Sequence, residues 1–113
     1  YRITGCVYEV YRHLGAGFLE SVYQKALIQE LQFAGLAVQC EVPVVIHYKG
    51  EPIAEHRVDL LVENAVIIEL KAQKQMPISA EPQLINYLKA TGKELGLLVN
   101  FSFPKAVVKR VVL

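Results

Sequence analysis

The sequence predicts a single α/β domain in which one mixed β-sheet is flanked by helices. Two helical segments precede three strands rich in Val and Ile, and a third helix separates these from two final strands. The 113 residues suffice for one hydrophobic core but not for two. We therefore predict one domain, residues 1–113, with the element order α-α-β-β-β-α-β-β.

The first part of the chain predicts two amphipathic helices. Residues 3–14 carry apolar side chains at helical spacing, and the glycines at 15–17 end that helix. The second helix covers residues 19–34, and Gly35 follows it where a helix C-terminal glycine belongs. The inward-facing candidates of both helices are Ile3, Cys6, Val7, Val10, Tyr11, Leu14, Val22, Leu27, Leu31 and Ala34.

The chain then changes to the period of β-strands. Three strands with tight connections predict an antiparallel meander, and Pro43 predicts an edge position or an irregular point in the first of them. These strands are predicted at 36–48, 53–62 and 65–72, with turns at 49–52 and 63–64. Ser79 is a good N-cap for a third helix that ends at Thr91 before Gly92. The last two strands are predicted at 96–101 and 107–113.

The composition favours a compact core and restricts the partners. Hydrophobic residues make up 53% of the chain and charged residues 20%, which argues against disorder. Lys and Arg number 12 against 11 Asp and Glu, which argues against nucleic-acid binding by net charge alone and against a polybasic membrane patch. The best candidates for a local basic cluster are Lys105, Lys109 and Arg110.

Three features predict a cytoplasmic protein. No apolar run approaches the roughly 18 residues of a membrane-spanning helix. No charged-then-apolar segment of the secretory type opens the sequence. Cys6 and Cys40 lie in apolar periodic segments without C-x-x-C spacing, so we expect buried, reduced thiols.

Charged residues interrupt two of the predicted strands. Glu69 and Lys71 lie in an otherwise apolar strand, where alternation places both on one face of the sheet. Asp59 interrupts the preceding strand. Charges in apolar strands cost free energy unless they are paired or bound to an ion. If the connecting turn has three residues centred on Asn64, Asp59 lies opposite Glu69, whereas a two-residue turn sends them to opposite faces.

Two carboxylates beside a lysine suit phosphodiester cleavage. Carboxylate oxygens are preferred Mg²⁺ ligands, and a bound metal would activate water and stabilise charge on the scissile phosphate. Lys71 would orient or deprotonate that water, or offset charge in the transition state. The backbone carbonyl of Leu70 is a further candidate ligand. A structural alternative stays open, because an E-x-K pair is often a solvated cross-strand ion pair.

Other polar residues carry weaker signals. Glu41, in the first strand, is a further acid that could reach the cluster, although Pro43 leaves its facing open. His13, His47 and His56 are too scattered for a zinc site, which favours surface or packing roles.

The start of the second helix carries a family signature. Gly17-Phe18-Leu19-Glu20-Ser21-Val22-Tyr23 matches the pattern G-x-x-E-x-x-Y, and the likeness extends over essentially the whole chain. The other matching segments lie at 9–17, 48–50, 59–62, 68–72, 83–88 and 96–101. The chain therefore resembles the GxxExxY protein family, which is assigned to the PD-(D/E)xK nuclease-like superfamily.

This resemblance implies a restriction-endonuclease-like core. Asp59, Glu69 and Lys71 fall on its D…E-x-K positions. Glu20 falls on a helix acid that assists metal binding in such enzymes, although it would also stabilise the helix N-terminus without any further role. Val58 stands where the proline of the superfamily's name would precede the aspartate.

The resemblance also singles out the helix after the third strand. Gln83 and Tyr87 fall on a Q-x-x-x-Y element found in several related nuclease families. They are one helical turn apart and share a face, so both can point towards the charged side of the sheet. Alternatively, they form the polar edge of a groove.

The leading hypothesis is a Mg²⁺- or Mn²⁺-dependent nuclease that hydrolyses DNA or RNA, with a homodimer or larger assembly as a further expectation. Its metal would be held by Asp59, Glu69, Glu20 and the Leu70 carbonyl. Lys71 would be the base or charge stabiliser, and Gln83 and Tyr87 would position the phosphate or a ligand water. Two alternatives are a catalytically silent nucleic-acid or protein binding module and a structural subunit whose charges form a buried network.

Overall fold

The computed structural model describes residues 1–113 and contains three helices and five strands in the predicted order. The helices are α1 (Arg2–Leu14), α2 (Glu20–Phe33) and α3 (Ala80–Thr91). The strands are β1 (Val38–Tyr48), β2 (Glu51–Val62), β3 (Val66–Lys71), β4 (Leu95–Phe101) and β5 (Ala106–Val112). The predicted elements are confirmed, with ends that differ by about two residues or fewer, as is usual for helix and strand boundaries.

The strands form one sheet in the order β1-β2-β3-β4-β5. Neighbouring strands are antiparallel except for β3 and β4, which are parallel. A parallel pair needs a crossover connection, and α3 supplies it. The predicted meander and mixed sheet are therefore confirmed, and β1, which contains Pro43, is an edge strand.

The helices cover opposite faces of the sheet. Alternation along the central strands sends neighbouring side chains to two separate cores. The core under α1 and α2 includes Val7, Tyr23, Leu27, Leu60, Ile68 and Val99. The core under α3 includes Leu61, Ile67, Leu84, Tyr87, Leu88 and Leu98.

Two expectations about buried residues are wrong. Val22 is 37% exposed, because the buried face of α2 runs through Tyr23, Leu27 and Leu31 at intervals of four residues. Cys40 is also exposed, because it lies on the outermost strand, beyond the cover of the helices. Cys6 is buried as expected, and neither cysteine forms a disulfide.

Both ends of α3 match the predicted positions. Ser79 occupies the N-cap, although its side chain makes no capping hydrogen bond. Gly92 closes the helix in the left-handed conformation, with a φ of 74°, and its N–H donates to the Leu88 carbonyl. No helix in the structure has both the length and the apolar character needed to cross a membrane.

The turn between β2 and β3 sets their register. Three residues, 63–65, separate the strands, and the pairs Leu60–Ile68, Leu61–Ile67 and Val62–Val66 are all centred on Asn64. The turn therefore has the three residues that the metal-site interpretation requires, and the two-residue turn assigned to 63–64 is wrong, because β3 begins at Val66. Glu63 and Asn64 both adopt positive φ, and the Ala65 N–H closes the turn on the Val62 carbonyl at 3.0 Å.

Candidate active site

Asp59 and Glu69 meet where β2 separates from β3. Ladder pairing ends at Leu60 and Ile68, and the side chains of the two acids then bind the main chain instead. The Asp59 N–H donates to Glu69 Oε1 at 3.2 Å, and Asp59 Oδ2 accepts from the Leu70 N–H at 2.7 Å. The two carboxylates therefore fill the gap that the diverging strands leave.

An irregularity in β1 accompanies this separation. Cys40 pairs with Leu60 and Val42 pairs with Val58, but Glu41 between them has a φ of 52°, outside the β region. Strict alternation would put Val58 and Leu61 on opposite faces, yet both lie in the core under α3. The change of facing occurs at the level of Asp59, so this acid sits where the sheet is distorted.

Burial and mutual repulsion disfavour charge on both acids. Glu69 is only 7% exposed, and burial, followed by the charge of Asp59, raises its pKa to about 8. Burial also raises the pKa of half-buried Asp59, against the opposing effect of the Leu70 N–H. Two such carboxylates are stabilised either by a proton or by a cation. Their oxygen donors suit Mg²⁺, which often binds one or two carboxylates and completes its shell with water.

Lys71 lies beside the acids without binding them. Its charge lowers the pKa of both Asp59 and Glu69. It forms no ion pair within 4.0 Å of either. The half-buried Lys71 residue is therefore close to the site and not engaged by a carboxylate.

Two further acids approach from neighbouring elements. The charges of Glu20, the first residue of α2, and of Glu41 in β1 both contribute to raising the pKa of Asp59. Glu20 also raises the pKa of Glu69. No group of three or more His, Cys, Asp or Glu side chains is gathered closely enough to hold a metal ion. The main chain of Leu70 is at the site, since its N–H binds Asp59.

Gln24 is a site residue that the sequence did not indicate. Its Nε2 donates to the Asp59 carbonyl at 3.1 Å and to Glu41 Oε1 at 3.3 Å. It therefore connects α2 to the distorted part of the sheet. The available signal was its position one helical turn after Glu20, on the same helix face.

Tyr87 and Gln83 have different surroundings. Tyr87 is 5% exposed and packs in the same core as Val58, the chain neighbour of Asp59. Burial first, and then the charges of Glu69 and Asp59, raise its pKa, so the phenol lies within electrostatic reach of both acids. Gln83 is exposed one turn earlier and has no hydrogen bond to either acid. It lines a neighbouring cleft instead.

This cleft lies between α3 and the β1–β2 hairpin and has a volume of about 670 Å³. Hairpin pairing brings His47 and His56 to it, although they are distant in sequence. Both histidines are exposed, in agreement with the surface role expected for them. The His56 ring lies 5.9 Å from the Tyr87 ring, so Tyr87 connects the cleft with the acidic site.

Comparison with known proteins agrees with the fold described above. The family model described as the PD-(D/E)XK nuclease superfamily matches residues 1–111. No curated protein sequence matches the chain. The crystal structure of SSO0001 is similar in fold, with a TM-score of 0.67 and 20% identity over 81% of this chain. The match covers 48% of SSO0001, so this chain spans about half the length of that protein. The expected restriction-endonuclease-like arrangement of helices and mixed sheet is confirmed.

Proposed function

The chain belongs to the PD-(D/E)XK nuclease superfamily, and from this membership we propose that it hydrolyses phosphodiester bonds of nucleic acid with Mg²⁺ or Mn²⁺. The observation that carries the proposal is the pair of buried acids, Asp59 and Glu69, at the separation of β2 and β3. A bound cation would stabilise both carboxylates in their charged form, whereas without one their burial and mutual repulsion favour a proton on Glu69.

Each site residue has a proposed role. Asp59 and Glu69 hold the metal, with the Leu70 carbonyl as a third ligand and Glu20 as a supplementary one from α2. The metal, when bound, supplies an activated water and neutralises charge on the phosphate. Every other contribution comes from side chains around it.

Lys71 acts on the attacking water and on the negative charge that develops at the phosphate in the transition state. Its side chain is not engaged by either acid. As an ammonium group it would orient the attacking water or offset the charge of the pentavalent phosphorus, and as the neutral amine it would accept the proton of that water. Tyr87, beside both acids, and Gln83, one turn earlier on α3, position the phosphate or a ligand water.

The finer assignment is part of the same proposal. Within the superfamily, the G-x-x-E-x-x-Y segment at 17–23 supports placement in the GxxExxY family. The two free cysteines support a reducing compartment, the cytoplasm. The small size of the domain supports work as a homodimer or within a larger assembly on DNA or RNA.

One observation favours a second candidate, a binding module with the fold but without turnover. The side chains do not form a group of three metal ligands, and the chain carries a formal charge of only +1. A module of this kind would bind nucleic acid or protein and leave it intact.

Metal titration followed by a cleavage assay separates the two candidates. Calorimetric titration of Mg²⁺ and Mn²⁺ should give binding by the intact protein and none by Glu69→Ala. Glu94→Ala is the matched control, because Glu94 is exposed and forms no ion pair. Labelled DNA and RNA should then be cut only with metal. Absence of metal binding at millimolar concentrations contradicts the nuclease, while metal binding without cleavage favours the module.

A further inference from the structure

We propose that the cleft between α3 and the β1–β2 hairpin binds an unpaired nucleotide flanking the scissile phosphate, so that single-stranded nucleic acid is the preferred substrate. This inference rests on the proposed nuclease function and adds to it a subsite and a substrate form. The site already described holds the phosphate, whereas the cleft would hold the neighbouring base and sugar.

The lining of the cleft has the chemistry of a nucleotide. The carboxamides of Gln83 and Asn86 donate and accept hydrogen bonds, as base edges do. The exposed ring of His56, which lies beside the buried ring of Tyr87, offers a face for stacking. Lys89 forms no ion pair and is free to meet a phosphate.

No carboxylate lines this cleft, in contrast to the acid-rich site beside it. A phosphodiester chain is therefore not repelled by the cleft, and its negative charge is met by Lys89. The acidic site and the cleft therefore differ in charge. Asp59 and Glu69 would bind a cation, and the cleft would bind the anionic nucleic-acid strand.

The position of the cleft matches that of a flanking nucleotide. His56 precedes Asp59 by three residues on β2, which corresponds to about 10 Å along a strand. Tyr87 lies next to His56, shares a core with Val58 and is within electrostatic reach of Asp59. A nucleic-acid strand whose scissile phosphate lies at Asp59 and Glu69 would place its next sugar and base over His56.

The size of the cleft selects an unpaired base. Its volume of about 670 Å³ is in the range of sites for small molecules and accommodates one or two nucleotides, but not a duplex. A base can enter only if it leaves its stack and its partner. Single strands and frayed ends already meet this condition, so they bind at lower cost than a duplex.

The projecting half of the hairpin supports a binding role. Residues 51–57 of β2 are all exposed and pair only with β1, since pairing with β3 begins at Leu60. This segment contributes little to either core, but its His56 lines the cleft together with Val45, Ile46 and His47 of β1. A hairpin that extends beyond the sheet is therefore available to hold a ligand against α3.

Oligonucleotide binding tests the inference. The probes are fluorescein-labelled eight-nucleotide DNA and RNA strands and the same sequences as duplexes, measured by anisotropy with Ca²⁺ in place of Mg²⁺. The double variant His56→Ala/Asn86→Ala should bind single strands about ten- to a hundredfold more weakly, because each stacked base contributes substantially to affinity. His13→Ala/Gln32→Ala is the matched control, since both of its residues are exposed on the distant helices α1 and α2.

The outcomes distinguish the subsite from the nuclease. The subsite is overturned if the double variant and the control bind single strands equally well. It is also overturned if the intact protein binds duplexes as tightly as single strands, or does not bind single strands at all. If the subsite is right and the nuclease wrong, the double variant loses affinity while the intact protein cuts nothing in Mg²⁺. If the reverse holds, the intact protein cuts duplexes, and the double variant cuts single strands at the unaltered rate. The DNA and RNA arms report whether the ribose 2′-hydroxyl is read.

Discussion

The side chains of Asp59 in β2 and Glu69 in β3 each accept a hydrogen bond from the main chain of the other strand. The carboxylate of Glu69 accepts from the Asp59 N–H at 3.2 Å, while that of Asp59 accepts from the Leu70 N–H at 2.7 Å. Each acid thus serves as a structural acceptor and as a candidate ligand. Substitutions that keep the acceptor and remove the charge separate these two roles.

Asp59→Asn should abolish cleavage without unfolding the protein. The amide oxygen can still accept from the Leu70 N–H, and loss of one charge relieves the repulsion with Glu69. We expect cleavage to fall at least about a hundredfold and thermal stability to stay equal or rise. Cleavage assays and melting curves in EDTA check this. An active Asn variant would contradict the ligand role of Asp59.

Stability without metal should fall as the pH rises. Burial raises the pKa of Glu69 from 4.5 to about 8, so between these values the folded protein keeps a proton that the unfolded chain releases. The stabilisation is therefore complete below about pH 4.5 and is lost as the pH approaches 8, at no more than about 1.4 kcal/mol per pH unit. Urea unfolding in EDTA at several pH values measures the slope.

The control for this pH dependence is Glu69→Gln, which cannot titrate at that position. Its slope between pH 5 and 8 should be clearly smaller than that of the intact protein. Millimolar Mg²⁺ should restore stability to the intact protein at pH 8 and leave Glu69→Gln unaffected, because a bound cation replaces the proton. Identical slopes in the two proteins would show that Glu69 is not the titrating group.

Lys71→Met should separate catalysis from metal binding. Because Lys71 forms no ion pair with either acid, its removal leaves no carboxylate without a direct partner. We expect about a hundred- to ten-thousandfold loss of cleavage, with metal binding and melting temperature nearly unchanged. Retained cleavage would favour a structural role for the lysine.

Gly96→Ala should destabilise the contact between α3 and β4. A Cβ at position 96 would lie 2.8 Å from Leu84 Cδ2, and Leu84 is fully buried, so it has little room to move. We expect a loss of about 1–3 kcal/mol in the free energy of unfolding. Gly5→Ala is the matched control, since nothing lies within 4 Å and alanine favours the helix. Equal stability of the two variants would contradict close packing at Gly96.

The sequence predicts the element order from local periodicity. The meeting of the two acids needs one further condition, a three-residue turn centred on Asn64, because alternation decides which residues oppose each other only when the turn length is known. The distortion at Glu41 and Asp59 could not be predicted in this way, because the argument assumes a regular ladder. For the same reason the hydrogen bond from Gln24 to the Asp59 carbonyl could not be predicted, because it requires α2 to reach the distorted strands.

Residues that meet only through tertiary packing were also beyond the sequence. His47 and His56 look scattered along the chain, and only the pairing of β1 with β2 brings them to one cleft beside Tyr87. The exposure of Cys40 depends in the same way on how far the helices extend over the sheet edge. The apolar residues next to Cys40 in the sequence do not indicate whether a helix covers that edge of the sheet.

The overhang of the β1–β2 hairpin has a dynamic consequence. Its residues 51–57 are exposed and pair with a single strand, whereas β3 lies between two strands under both helical layers. Amide hydrogen exchange should therefore be orders of magnitude faster in the outer hairpin than in β3 and β4. Local opening of the outer hairpin, which supplies His47 and His56 to the cleft, would therefore leave Glu69 in a strand that stays paired with β4.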